Sequence, residues 1–158
     1  MGKRGRDTKT MILDACCGGK SMYHGLDKQF SKDEIVYIDI RKGTFEYKHW
    51  QVQPITIKPD VVADCKHLQF KPSTFRLIIF DPPHLAGDLD AYMTPKYGSL
   101  SVAQFIKMLK AINNEFYYVL KLEGMLITKT LSVEKRSAYM RPFLSNFKCL
   151  LDIDYRSK

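Results

Sequence analysis

Four short apolar segments, each running into an aspartate, constrain this chain more than any other feature. Ile12-Leu13-Asp14, Ile35 to Asp39, Val61 to Asp64 and Leu77-Ile78-Ile79-Phe80-Asp81 share one plan, an apolar run of strand length that stops at or beside an acid. Longer amphipathic stretches alternate with them. That alternation predicts a single Rossmann-like, doubly wound α/β domain over residues 1–158, with a mostly parallel sheet and helices on both faces. In an open sheet of this kind the strands point one way, so Asp14, Asp39, Asp64 and Asp81 fall along one edge, where ligands sit at the switch in strand order. One aspartate at a strand end reads as a helix cap or a solvated loop residue. Four in register read as a site.

The finer segmentation follows from period and punctuation. Strands are predicted near residues 10–15, 35–40, 61–63, 77–80, 125–128 and 149–153. The clearest helix spans 102–122: Ser101 and Gln104 form a capping-box pattern, Val102, Phe105, Leu109, Ile112, Phe116 and Leu120 keep helical spacing, and Gly124 ends it. A second helix is expected over 133–146, kinked or interrupted at Pro142, and a shorter one over 21–30. Residues 42–59 and 85–100 lack a helical period and read as irregular connections. One convincing strand follows the 133–146 helix, so the final edge strand is expected to be missing or supplied by a partner chain.

Two turns carry chemistry. After the first strand, Asp14-Ala15-Cys16-Cys17-Gly18-Gly19 places a glycine pair where backbone can approach a ligand closely. Gly19-Lys20-Ser21 imitates the end of a Walker loop, but position 14, five residues before Gly19, is aspartate rather than glycine. A nucleoside triphosphate is therefore excluded, and an acid beside a glycine turn suits a ligand with a positively charged amino-acid end. After the fourth strand, Asp81-Pro82-Pro83-His84 presents a carboxylate and a free carbonyl on a stiff turn, since neither proline has an N–H and both hold φ fixed. Two rigid acceptors suit the gripping of an exocyclic amine. A strand followed by prolines is more often only a sharp exit from a sheet, so the turn gains meaning from the glycine turn before it.

Charge points to the partner. Twenty-five basic residues against 17 acidic ones give a net charge of +8, dense at Lys3, Arg4, Arg6 and Lys9, at Arg41, Lys42 and Lys48, and at Lys135, Arg136, Arg141 and Lys148. A polyanion, nucleic acid first, is the natural partner. No apolar run approaches membrane-spanning length, and no signal-peptide core follows the basic residues 1–9, which are expected to be flexible. Cys16, Cys17, Cys65 and Cys149 show neither metal-ligand spacing nor a disulfide framework, so free thiols in a reducing cytoplasm are expected, with no metal. His24, His49, His67 and Trp50 read as packing or surface residues.

Together Ile12-Leu13-Asp14-Ala15-Cys16-Cys17-Gly18, Asp39-Ile40-Arg41, Pro59-Asp60-Val61-Val62-Ala63-Asp64, Phe80-Asp81-Pro82-Pro83-His84 and Lys96-Tyr97-Gly98 resemble the class I S-adenosylmethionine-dependent methyltransferases. Within that class they look like small viral and bacterial DNA amino-methyltransferases, over nearly the whole chain. The resemblance implies S-adenosylmethionine as cofactor, with Asp14, Ala15, Cys16, Cys17, Gly18 and Gly19 along its methionine. Asp39, within Asp39-Ile40-Arg41, would take the ribose hydroxyls, and Asp64 and Cys65 would lie by the adenine. Asp81 and Pro82 would hold the target amine, Pro83 would stiffen the turn, and His84 would stack on the base. Tyr92 and Tyr97 would cover the base, and Lys129 is a candidate contact to substrate phosphate. Three departures from the pattern stand out: the glycines are compressed, His84 replaces the usual Tyr, Phe or Trp, and the closing antiparallel strand pair is incomplete. The implied reaction is methylation of adenine N6 or cytosine N4 in duplex DNA, in the cytoplasm (the host's, for a viral chain). A homodimer is expected from the small surface beyond the pocket and the uncovered final sheet edge. RNA, a protein amine or amide, and a basic nucleic-acid-binding module without activity are the alternatives.

Overall fold

The computed structural model describes residues 11–23, 34–47, 53–83, 98–129 and 140–151. In chain order the elements are β1 (Ile12–Asp14), β2 (Ile35–Asp39), β3 (Gly43–Phe45), β4 (Ile55–Ile57), β5 (Val61–Val62), β6 (Phe75–Phe80), α1 (Val102–Val119) and β7 (Leu120–Thr128). Five strands form one sheet in the order β5-β2-β1-β6-β7, and every pair in it is parallel. From β1 the chain winds outward through β2 to β5, then returns to the other side of β1 for β6 and β7. The fold is a Rossmann-like α/β sheet, and its order reverses between β1 and β6.

Period-two alternation splits the strands between two faces. Leu13, Ile38, Ile78 and Phe80 join Phe105, Met108, Leu109, Ile112, Phe116 and Val119 of α1 in the main core. Ile12 and Ile35 instead pack with Tyr23 on the other face, joined by Tyr37, Leu77 and Ile79. The Phe80 and Phe116 rings meet edge to face at 5.3 Å, which joins the last turn of the helix to the end of β6. The capping box at Ser101 and Gln104 is formed in both directions, with Ser101 Oγ accepting from the Gln104 N–H and Gln104 Oε1 accepting from the Ser101 N–H.

The helix stops earlier than its periodicity predicts. Leu120 takes extended backbone angles and pairs with Phe75, so β7 begins where α1 ends. The N–H groups of Ser73 and Thr74 donate to the Tyr118 and Val119 carbonyls, so the turn before β6 satisfies the helix's last acceptors. Gly124 is therefore not the helix stop. It lies in a bulge of β7 between the pairs Phe75↔Leu120 and Leu77↔Met125, beside Glu123 at φ +63°. A Cβ on Gly124 would come within 2.8 Å of the Lys121 carbonyl oxygen.

Two other expectations need correcting. The stretch 42–59 is not wholly irregular: β3 and β4 pair antiparallel in register Gly43↔Ile57, Thr44↔Thr56 and Phe45↔Ile55. Met140 is still helical, and the interruption expected at Pro142 takes the form of a short 3-10 turn, Arg141–Phe143. That turn is held to α1 by Asn113, whose Oδ1 accepts from the Asn146 N–H (3.1 Å). No strand forms at 149–151, where Leu150 and Leu151 are exposed. The first half of the expected 133–146 helix, most of 21–30, residues 152–153 and the basic stretch 1–9 lie outside the described residues; within 21–23 a 3-10 turn, Ser21–Tyr23, forms. No helix among the described residues is long and apolar enough to cross a membrane.

Candidate functional site

A cleft opens over the carboxyl ends of β2, β1 and β6, at the switch in strand order. Its wall is formed by Ala15 to Gly19 and Ser21 after β1, Asp39 to Arg41 after β2, and Ala63 to Lys66 after β5. Asp81 and Pro83 follow β6, and Leu100 and Met108 close it from the helix side. Residues far apart in sequence meet here because parallel strands in register deliver their ends to one line.

The glycine turn is fixed by backbone bonds to its neighbours. The Ala15 N–H donates to Ile79 O of β6 and the Cys17 N–H to Ile38 O of β2, both at 2.9 Å. Gly18 turns the chain at φ +49°, a left-handed angle that a glycine adopts without strain. Its N–H donates to Asp39 Oδ2 at 2.9 Å. Asp39 Oδ1 accepts from the Arg41 N–H (2.9 Å) and from Arg41 Nε (3.3 Å). Asp39 is thus more than a ligand candidate: one carboxylate couples the turn after β1 to the turn after β2. Gly19 sits under the hairpin, where an added Cβ would come within 2.6 Å of Ile55 Cδ1.

Asp14 is placed differently from its sequence expectation. It is 1% exposed and does not line the cleft. Its Oδ2 accepts from the Tyr23 hydroxyl (2.9 Å) and its Oδ1 from the Cys16 N–H (3.2 Å), so it supports the turn from within. Burial pushes its carboxyl up to about 6, the two hydrogen bonds oppose this, and the nearby charges of Asp81 and Asp39 raise it further. Three carboxylates therefore converge at the switch point. Burial likewise raises the Tyr23 hydroxyl well above its ordinary value, with the Asp14 charge adding to it.

The thiols of the turn are not poised as nucleophiles. The neighbouring Cys65 thiol and burial together hold Cys16 well above the ordinary thiol range. Burial, with Asp14 and Asp39 adding, pushes Cys17 up to about 12. Asp64 closes its own turn, with Oδ1 accepting from the Lys66 N–H (2.9 Å) and Oδ2 paired with Lys66 Nζ (3.2 Å).

Asp81 is the exception among these acids. Its side chain is 10% exposed, and Oδ2 accepts from Lys129 Nζ at 3.1 Å. Its Oδ1 is buried and has no hydrogen-bond partner, alone in this respect among the buried side-chain nitrogens and oxygens of the described residues. A partnerless buried carboxylate oxygen is costly unless something donates to it. Pro83 stands on the cleft wall, and Pro82, between it and Asp81, is buried. Gly98, at φ +73°, returns the chain against Pro83 and Arg41.

Lys129, read from sequence as a contact to phosphate, thus lies on the acid itself. Ser21, Ala63, Lys66, Leu100 and Met108 are wall residues that sequence reading missed. Met108 falls one position before Leu109 on the apolar stripe of α1 and was legible as core, but only the packing of α1 brings it to the cleft. His84, Tyr92 and Tyr97 lie outside the described residues.

No family model matches the chain, and no curated protein matches it. Among solved structures the chain is similar to the PH0226 protein from Pyrococcus horikoshii OT3, with a TM-score of 0.49 and 18% identity. The alignment covers 89% of this chain and 54% of that one, so the chain spans about half the length of that protein.

Proposed function

We propose that this chain is an S-adenosylmethionine-dependent methyltransferase acting on an exocyclic amine of a nucleic-acid base, adenine N6 in DNA first and cytosine N4 second. The observation that carries the reading is the pairing, in one cleft, of a carboxylate-braced glycine turn with an acid whose buried oxygen lacks a donor. A cationic ligand is favoured: Asp39 and Asp81 stand on the wall with Asp14 buried close behind it, and the turn has no phosphate cradle. Ala15 to Gly19, with Asp14 behind them, would hold the cofactor's methionine, Asp39 to Arg41 its ribose, and Asp64 and Cys65 its adenine.

When bound, S-adenosylmethionine supplies a methyl group already activated on a sulfonium. The chain's own task is then positioning. Asp81 Oδ1 accepts one N–H of the target amine, and the Pro82 carbonyl accepts the other. An aromatic amine has its lone pair drawn into the ring, and two fixed acceptors favour a pyramidal nitrogen. As nitrogen gains the methyl group its positive charge grows against the Asp81 carboxylate, which can hold the proton that leaves. A base within a duplex must be turned out of the stack to reach this cleft. His84 would stack on it, and Tyr92 and Tyr97 would cover it.

Duplex DNA as partner and a homodimer as the working form belong to the same proposal. The basic charge of +8 supports the first. The second is supported by β7, which ends the described sheet with Leu122, Met125 and Ile127 exposed. The test is calorimetric titration with S-adenosylmethionine, followed by transfer from labelled cofactor to DNA, RNA and protein pools. Label in DNA, released as N6-methyladenine or N4-methylcytosine, is expected. Cofactor binding with label only in RNA or protein would move the substrate to that class, and no binding would leave a basic nucleic-acid-binding module.

A further inference from the structure

Lys129 is the residue that the proposed reaction does not yet use. Its N–H donates to Phe80 O at 2.9 Å, one step beyond the pair Phe80↔Thr128, so the β6–β7 ladder sets its backbone beside Asp81. From there its ammonium reaches Asp81 Oδ2 at 3.1 Å. Lys129 is 57% exposed and Asp81 only 10%, so the pair spans from solvent to the cleft wall. A carboxylate held by nothing turns about its last bond and exchanges its two oxygens. Here one oxygen is taken by a cation and the other has no donor, so the two are no longer equivalent.

We propose that Lys129 is a positioning residue for Asp81: by holding Oδ2 it fixes the plane of the carboxylate and reserves Oδ1 for the N–H of the methyl-accepting amine. This rests on the methyltransferase reading above and assigns Lys129 to the acceptor amine rather than to substrate phosphate. Two effects of the ammonium oppose one another. Orientation favours transfer, because a misplaced acceptor group loses much of the rate that alignment provides. The positive charge works against it, because it offsets part of the negative potential that stabilises the nitrogen as it becomes cationic. An ion pair open to solvent on its lysine side is screened, which weakens the second effect more than the first.

The experiment compares wild type with Lys129→Met and Lys129→Arg, using S-adenosylmethionine and an oligonucleotide containing the acceptor base. Lys129→Met should bind the cofactor with a Kd within about twofold of wild type. Its kcat should fall by at least about tenfold, the scale of a lost alignment, with KM for the oligonucleotide little changed. Lys129→Arg, whose guanidinium can hold the same oxygen, should recover most of the rate. A raised KM with unchanged kcat would assign Lys129 to substrate phosphate and overturn the proposal. So would a Lys129→Met enzyme as fast as wild type or faster, which would mean that the charge outweighs the orientation.

A second measurement is independent of turnover. In the protein without ligands, the ammonium signal of isotope-labelled lysine that is lost in Lys129→Met should shift in Asp81→Asn. If that signal does not move, the ion pair is absent in solution and the proposal fails whatever the kinetics show. If it moves but wild type transfers methyl to no amine, the methyltransferase reading fails and the role of Lys129 in it falls too, while the ion pair stands.

Discussion

At the scale of single residues, the acids of the cleft divide by what already occupies them. Asp39 accepts from Gly18 and Arg41, so Asp39→Ala removes a brace as well as a contact. Cofactor binding should weaken by roughly 1.5–3 kcal/mol, the range for hydrogen bonds to a charged group. Calorimetry checks this, and unchanged affinity would remove the ribose assignment. Asp81 braces nothing beyond Lys129, so Asp81→Ala should keep most cofactor affinity while turnover drops at least roughly a hundredfold, as for loss of one preorganised polar contact. Near wild-type turnover in that variant would end the amine-grip mechanism. Asp14 offers a test of stability. Its carboxyl lies at about 6 in the folded chain against an ordinary 3.8, so the folded state favours the protonated form. That contribution is fully present below about pH 4 and is lost as pH rises through about 6. In Asp14→Asn the amide can still accept from Cys16 and donate to the Tyr23 hydroxyl, without the charge. Between pH 4 and 7 the variant should gain on wild type by roughly 2 kcal/mol, because that window crosses most of the interval between 3.8 and about 6. Denaturant melts at both pH values would show it, and a constant difference would contradict the buried charge.

At the scale of elements, local propensity and tertiary pairing compete at the end of α1. The helical period continues through Leu120, and only the pairing of Leu120 with Phe75 turns the chain into a strand there. Gly124 is needed for this conversion rather than for a helix stop. Gly124→Ala would drive a Cβ against the Lys121 carbonyl, which is backbone and cannot move aside freely. The cost should be about 1–3 kcal/mol, as for other insertions into packed sites, and chemical denaturation would measure it. A variant as stable as wild type would mean that the β7 bulge relaxes. The hairpin β3–β4 was invisible for a related reason. Its strands are three residues each, and their pairing partners lie 10 to 14 positions along the chain. Without that partner, Gly43-Thr44-Phe45 has no period long enough to separate strand from loop.

At the scale of the whole molecule, the proposed partner is larger than the cleft. The cleft itself offers a duplex little surface, and the proposed two-fold dimer would double the basic footprint. Light scattering at micromolar concentration, with and without a short duplex, should give twice the chain mass. Duplex affinity should fall steeply with salt because the contacts are largely to phosphate. A monomer in both conditions that still methylates DNA at full rate would rule the dimer out.

The strand-end acids, the glycine turn, the capping box at Ser101 and the sheet class were all legible in the sequence, because each depends on neighbours within a few positions. Apolar period, turn residues and caps are local properties. What the acids do was not legible. Asp14, Asp39 and Asp81 look alike in sequence, each at the end of an apolar run. The fold buries Asp14 under Tyr23 and commits Asp39 to the Gly18 N–H. It pairs one oxygen of Asp81 with Lys129 and leaves the other without a donor. Those differences arise from residues 9, 21 and 48 positions away. A carboxylate's chemistry is decided by the donors around it and by its access to water, and strand order alone brings those donors within reach.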